Sequence, residues 1–369
     1  MKFAFYVPDT FAPGPETIPS RYSCFQRFNL RQTQADRAIA KPIKLDGSLL
    51  TDLIGMMRNG LTLKTVARLA TQLLLEMGAP IRRVRRPILQ APVAFDIFRD
   101  ALTRTEPEFC TFFTNHVAGI MHRYWKYSFP DDFHYQLNGK VDAFHGESLR
   151  IALDHADDQI GFLKSYVDRR QGRLYIASSM GQEAIHREQE IEVHIENIER
   201  FATAIGFTQP LKSLMAMHPD YSFEFECDAD AREFCGLVET LCRADGTPAF
   251  YGVKYVGRTA RCSTGSGPGF LSADGQALYL SNADGSLHCP FDRCGLNVME
   301  RDVGTAYHQP YGTFVRYGAG IRANADRQKI ETVRIAPMIM ADFGLATGVR
   351  HDAPSSRRAT TDAIMTLSD

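Results

Sequence analysis

The sequence predicts an α/β protein built on a mostly parallel sheet, and three observations predict it. Leu174, Tyr175, Ile176 and Ala177 form an apolar run without polar alternation, the pattern of a strand covered on both faces. That run follows a long amphipathic helix from Glu147 to Arg170, in which Ile151, Ala152, Ile160, Leu163, Tyr166 and Val167 recur at helical spacing before Gly172 supplies a left-handed stop. The same order occurs earlier, with a helix from Pro92 to Thr103, an apolar strand from Phe109 to Thr114 and a polar turn at Asn115 and His116. Ligands gather at the carboxyl ends of strands in open parallel sheets, so Ser178, Ser179, Met180, Gly181 and Gln182 stand where chemistry is expected.

Composition removes some classes of function. With 42 Lys and Arg against 43 Asp and Glu, the chain has a net charge of −1 and lacks the strongly basic character of a nucleic-acid binder. The local cluster Ile81 to Pro87, with Arg82, Arg83, Arg85 and Arg86, reads as a solvated connector. No apolar run approaches the length of about 20 residues that crosses a bilayer. The start, MKFAFYVPDTF, is too short for the hydrophobic region of a secretory signal. A soluble, cytoplasmic protein is expected. The eight cysteines include no CxxC pair, and Cys227, Cys235, Cys242, Cys289 and Cys294 make only a weak metal pattern.

Taken in order, FAFYV is a strand ended by Pro8, and residues 9 to 45 form a long irregular excursion over the surface. Ser48 caps a helix carrying Leu49, Leu50, Leu53, Ile54 and Met57, closed by Asn59 and Gly60. Thr62 caps a second, carrying Val66, Leu69, Leu73 and Leu74 to Gly78. Ala184 to Ile205 reads mostly helical, although the alternation of Ile191, Val193 and Ile195 suits a strand. YSFEFEC, residues 229 to 243 and PAFYGVKYV give strand, helix and strand, and QALYLS belongs to a β-rich region beyond them. Tyr307 to Ile321 returns to an apolar strand flanked by glycines. The expected organisation is an α/β core over residues 1–206 and 301–346, an α+β insertion over 207–300 and a disordered tail over 347–369.

Three segments together resemble the type I phosphodiesterase and nucleotide pyrophosphatase group of the alkaline phosphatase superfamily. MHRYW places His122 three residues before Trp125; DHADDQIG is followed by a strand ending in Ser178, Ser179, Met180 and Gly181; and His308 precedes Gly312, FVRY and Gly318-Ala319-Gly320. The resemblance implies a three-layer αβα sandwich with a small β-rich insertion. It also implies phosphate-ester hydrolysis by metal ions, which activate a hydroxyl and neutralise phosphoryl oxygens. His122 and His308 match two imidazole ligands of one metal. Ala118 replaces the carboxylate four residues before His122, and Ser179 and Met180 replace an Asp-His pair. The front of the chain lacks the expected nucleophile and first aspartate, unless Asp9 and Thr10, Ser20 or Ser23 supply them.

The resulting expectation is a hydrolase of phosphate esters with a reduced metal site, holding one zinc or manganese ion on His122 and His308, with His116 as a third ligand or Asp157, Asp158 or Glu183 as a carboxylate. Ser179, Asn115 and Gln182 are the expected catalytic residues, and Ser179 activated by a nearby histidine would be a metal-free route of acyl or phosphoryl transfer. The alternatives are an inactive binding protein for a small phosphorylated or polar ligand and a fragment lacking its front, with self-association following from an exposed sheet edge. Simple capping of a following helix is the plain structural account of Ser178, Ser179 and Gln182.

Overall fold

The computed structural model describes residues 3–10, 12–32, 47–186, 191–214, 216, 219–243, 246–264, 279–282, 284–300, 304–324 and 326–345. The expected tail at 347–369, and residues 33–46 of the expected surface excursion, lie outside them. The chain divides into two compact units, one comprising Met1–Tyr166 with Gln182–Gln309, the other Val167–Gly181 with the segment from Pro310 onward.

The first unit begins with helices. α1 (Ser23–Gln32) occupies part of the stretch expected to be irregular, because Tyr22, Cys24 and Phe25 find Met56, Val93 and Ile97 to pack against. Its arginines are also anchored, Arg27 and Arg31 lying 2.7 and 3.3 Å from the buried Asp52 carboxylate on α2 (Gly47–Arg58). Gly60, at φ 109°, turns the chain into α3 (Leu63–Gly78). Thr62 caps α3 by accepting from the Thr65 N–H, and Asp96 in turn accepts from the Thr62 N–H and hydroxyl.

α4 (Arg86–Thr105) starts six residues before the helix expected from Pro92, with Pro87 in its first turn. The arginine cluster ahead of it is not a solvated connector. Arg85 is buried, donates to Ser148, the Phe144 carbonyl and Glu147, and its guanidinium lies 3.7 Å from the Phe144 ring centre. Arg86 grips the buried Glu76 in a bidentate pair that holds its carboxyl below the usual range. α5 (His116–Ser128) and α6 (Gly139–Arg169) complete the helical part, with Ile120, Leu149 and Ala152 packed on Ile88. No helix among the described residues is long and apolar enough to cross a membrane.

Strands dominate the remainder of the chain: β1 (Arg173–Ser178), β2 (Gly181–Ala184) and β3 (Ile191–Ile195), then α7 (Ile198–Ala204), β4 (Leu211–Leu214) and β5 (Asp220–Phe225). α8 (Asp228–Glu239) leads to β6 (Leu241–Cys242), β7 (Phe250–Val256), β8 (Thr259–Thr264), β9 (Tyr279–Asn282) and β10 (His288–Pro290). β11 (Leu296–Glu300), β12 (Ala306–Gln309), β13 (Thr313–Gly318) and α9 (Ile335–Asp342) come last. The strand, helix, strand reading of residues 220 to 256 corresponds to β5, α8 and β7. The alternating residues 191 to 195, where helix and strand competed, form β3.

The expected three-layer αβα sandwich is not formed. The described sheets contain two to four strands, and each pair with a defined register runs antiparallel. β1, expected in a parallel sheet, pairs among the described residues with β13 alone, Leu174 facing Tyr317 and Ile176 facing Val315. Within that second unit Asp342 of α9 accepts from Arg173 and from the Tyr175 hydroxyl. An unbroken apolar run here reflects half-buried residues on both faces of a two-stranded ribbon, a pattern that periodicity does not separate from a buried parallel strand. Phe109–Thr114 is not a strand either. Phe112 packs on Phe95 and Phe98 while Phe109 and Phe113 are exposed, so the segment has an anchor but no ladder.

The four-stranded sheet, in the order β4-β5-β8-β7, packs on α8 through an aromatic cluster. The Phe234 ring lies 5.2 Å from Phe223, 5.2 Å from Phe225 and 5.3 Å from Phe207. Phe234→Ala removes the ring shared by all three and leaves a cavity, so unfolding in urea should show a loss of about 3–5 kcal/mol.

Candidate functional site

One insertion organises the site. In a regular helix the Lys126 N–H would donate to the His122 carbonyl. α5 instead kinks at Tyr124 (φ −124°, ψ 15°). The Thr305 N–H donates to the His122 carbonyl at 2.6 Å, and the Lys126 N–H donates to Thr305 Oγ1 at 3.2 Å. Thr305 thus replaces one bond of the helical ladder, a recognised cause of a kink. Its own carbonyl accepts from the Ile185 N–H at 3.1 Å, which ties in the segment after β2. β2 and β12 pair beside it.

This arrangement brings three of the residues singled out in the sequence together. His122 Nδ1 lies 2.8 Å from the Ala306 carbonyl. A carbonyl only accepts, so Nδ1 carries the proton and Nε2 presents its lone pair. Gln182 Nε2 lies 3.4 Å from that Nε2 and 3.0 Å from His308 Nδ1. The amide donates to both rings, so the proton of neutral His308 is on Nε2. The imidazoles meet edge to face, their centres 4.7 Å apart at 87°, and His308 is exposed to solvent. Two imidazole lone pairs therefore converge on one amide nitrogen. Gln182 Oε1 is buried and has no hydrogen-bond partner among the described residues.

The hydrogen bonds that join His122, Gln182 and His308 involve none of the other expected site residues. His116 is buried at the start of α5, where its Nε2 donates to the Ala152 carbonyl at 3.0 Å and its Nδ1 is 2.7 Å from the Thr114 hydroxyl. Both ring nitrogens are occupied, so His116 is not a ligand beside His122. Asn115 is exposed at the N-cap position of α5 without a side-chain cap bond, two turns or about 10 Å along the helix from His122. Ser179 is an exposed residue of the second unit, in the bend after β1. No helix follows that bend, so Ser178 and Ser179 cap nothing; β2 follows. Asp158 lies 3.7 Å from Arg68, and Glu183 is exposed on β2. Thr305 and the Ala306 carbonyl, which orient His122, have no signature in the sequence, because one acts largely and the other wholly through the backbone.

Among the described residues no group of three or more His, Cys, Asp or Glu is placed to hold a metal ion. The donor set of His122, His308 and Gln182 contains an amide oxygen in place of a third such residue. The O and N of a glutamine side chain exchange by a half-turn, which would aim the orphaned Oε1 at the two lone pairs. His122, oriented by the Ala306 carbonyl, with His308 and the Gln182 oxygen would hold a divalent transition metal of the zinc or manganese class. No protein family, curated protein or solved structure matches the chain, so no relative ties it to the alkaline phosphatase superfamily.

Burial lowers the pKa of His116, the neighbouring His155 lowers it further, and the bond to Ala152 opposes both. A histidine held neutral in the folded chain takes up more protons when unfolded. Stability is therefore lost as pH falls from about 6.5, the unfolded value, towards the lowered folded value. The melting temperature should fall between pH 7.5 and 5.5, and His116→Gln should flatten that fall. For the insertion, Thr305→Val deletes the acceptor of the Lys126 N–H without changing shape and should cost about 1–3 kcal/mol in urea unfolding, whereas Thr305→Ser should cost less than half as much.

Proposed function

We propose that the chain is a hydrolase assisted by one divalent metal ion, with His122, His308 and Gln182 as its ligands and a phosphate ester as its substrate class. The observation that supports this reading is the convergence of two imidazole lone pairs on the Gln182 side-chain nitrogen, with the His122 tautomer set by a backbone carbonyl. Lone pairs aimed at a common point repel an anion and attract a cation. A neutral pocket for a phosphate alone is thereby disfavoured. Metal-ligating histidines characteristically donate their other N–H to a carbonyl or carboxylate, as His122 does.

The metal, when bound, supplies Lewis acidity to a phosphoryl oxygen. The chain's own residues do the rest. The Ala306 carbonyl holds the His122 ring in orientation; β12 presents His308 at the surface; Gln182 donates its amide protons to both rings and would hold the metal through its oxygen after a half-turn. Three protein ligands leave coordination positions open, as catalytic sites require. The substrate class comes from the sequence segments around His122 and His308, and the site alone supports the chemistry. Eight free cysteines support a reducing, cytoplasmic setting.

A second reading, ligand binding without turnover, is favoured by one observation: the Gln182 amide already satisfies both rings, so the cluster is stable without metal.

Structural zinc sites with four ligands hold the ion with about 10–16 kcal/mol, and fewer ligands should weaken binding to the micromolar range. Titration calorimetry with Zn²⁺ should show one site per chain, weakened at least tenfold by His122→Ala or His308→Ala. Gln182→Glu should tighten it, because a carboxylate is the better ligand. Absence of binding, or binding indifferent to both histidines, refutes the metal site. Binding without zinc-dependent release of nitrophenol from bis-(p-nitrophenyl) phosphate would select the second reading.

A further inference from the structure

The segment DHADDQIG, one of those read as resembling the phosphodiesterase group, supplies no residue to the His122, Gln182 and His308 cluster. It forms one wall of a cleft in the first unit. His155, Asp158, Gln159 and Phe162 fall on one face of α6 and look across to Lys64, Arg68 and Gln72 of α3 and to Phe95 and Arg99 of α4. Two adjoining cavities, of about 440 and 270 Å³, share Lys64, Arg68 and His155 in their linings.

The polar groups in this cleft are mostly donors. His155 Nδ1 lies 3.4 Å from Arg68 Nη1, and a guanidinium only donates, so His155 accepts there and keeps its proton on Nε2. Gln159 is 94% buried, since its exposure is 6%, yet its Nε2 has no hydrogen-bond partner among the described residues. A buried amide N–H₂ without an acceptor costs about 1–3 kcal/mol unless something fills its place. Lys64 forms no ion pair among the described residues.

The two carboxylates in the lining are already engaged. Asp96 accepts from the Thr62 N–H and hydroxyl through Oδ2 and lies 3.4 Å from Arg99 through Oδ1; Asp158 pairs with Arg68 at 3.7 Å. Lys64, Arg68 and Arg99 against Asp96 and Asp158 leave one positive charge, because His155 is neutral in this bonding pattern. The walls between these groups are apolar, contributed by Leu75, Leu89, Phe95 and Phe162.

We infer that the cleft between α3, α4 and α6 is a binding site for a small organic monoanion, a carboxylate on an apolar body, recognised by Lys64, Arg68 and the orphaned amide of Gln159. The charge surplus of one matches a carboxylate better than a dianionic phosphate. The apolar walls cover the body of the ligand, as in most small-molecule sites. This site is separate from the His122 cluster and does not depend on the function proposed there.

The test is titration calorimetry of the full chain with benzoate and hexanoate, beside benzyl alcohol as the uncharged analogue and inorganic phosphate as the alternative anion. One carboxylate site per chain is expected, at least tenfold tighter than benzyl alcohol or phosphate. Lys64→Met, at an exposed position where folding is not at stake, should weaken it at least fivefold, and Gln159→Leu at least tenfold with an unchanged far-ultraviolet spectrum. No saturable binding of either carboxylate, tighter binding of phosphate, or affinity unchanged in Lys64→Met overturns the assignment. If Gln159→Leu does not fold, the Lys64 variant and the analogue series decide it.

Discussion

The candidate metal site depends on one substitution in a hydrogen-bond ladder. A helix leaves no spare donors or acceptors in its interior, so another segment can be fastened to its middle only where one bond is given up. Thr305 takes both halves of that bond, the His122 carbonyl and the Lys126 N–H. Because the same residue also accepts from Ile185, a helix, the end of one strand segment and the start of another are fixed at a single point. His122, Gln182 and His308 are each within a few residues of that point. Their meeting is a consequence of backbone bonding, which explains why the His122 tautomer is set by a main-chain carbonyl.

The helices show a different economy of charge. Buried carboxylates recur, and each is met by an arginine or by backbone and hydroxyl donors: Asp52 by Arg27 and Arg31, Glu76 by Arg86, Asp96 by Thr62 and Arg99. Removing one partner from such a pair leaves an uncompensated buried charge, so these contacts specify how the helices fit more than they add net stability. The cleft beside Asp96 departs from this pattern. There the three cations of the lining face two carboxylates, and the buried Gln159 Nε2 has no hydrogen-bond partner among the described residues. A buried amide without an acceptor calls for an explanation, and it is the observation from which the anion site is inferred.

Much of the local structure was legible in the sequence. The Thr62 cap, the stop at Asn59 and Gly60, the amphipathic stretch ending near Gly172 and the run of strand, helix and strand from Asp220 to Val256 follow from capping chemistry and periodicity, which act over a few residues. His122, His308 and Gln182 were also legible as polar residues beside apolar runs. Two segments misled for the same reason. Leu174–Ala177 and Phe109–Thr114 are apolar without alternation, and such runs are equally compatible with a central parallel strand, a two-stranded ribbon or an extended connector held by one buried ring.

By itself, then, the sequence determined the positions of many helices, of several strands and the near balance of charge, because these depend on side-chain type and near neighbours. The tertiary structure alone decided that the strands pair antiparallel in small sheets and that His116 turns inward to the Ala152 carbonyl while His122 meets His308. Those outcomes rest on contacts between residues far apart in the chain. Strand direction is chosen by which partner is free to complete a ladder, and the pairing of His122 with a strand more than 180 residues later depends on Thr305 entering a helix at one place. Neither choice leaves a local pattern of residue types to read.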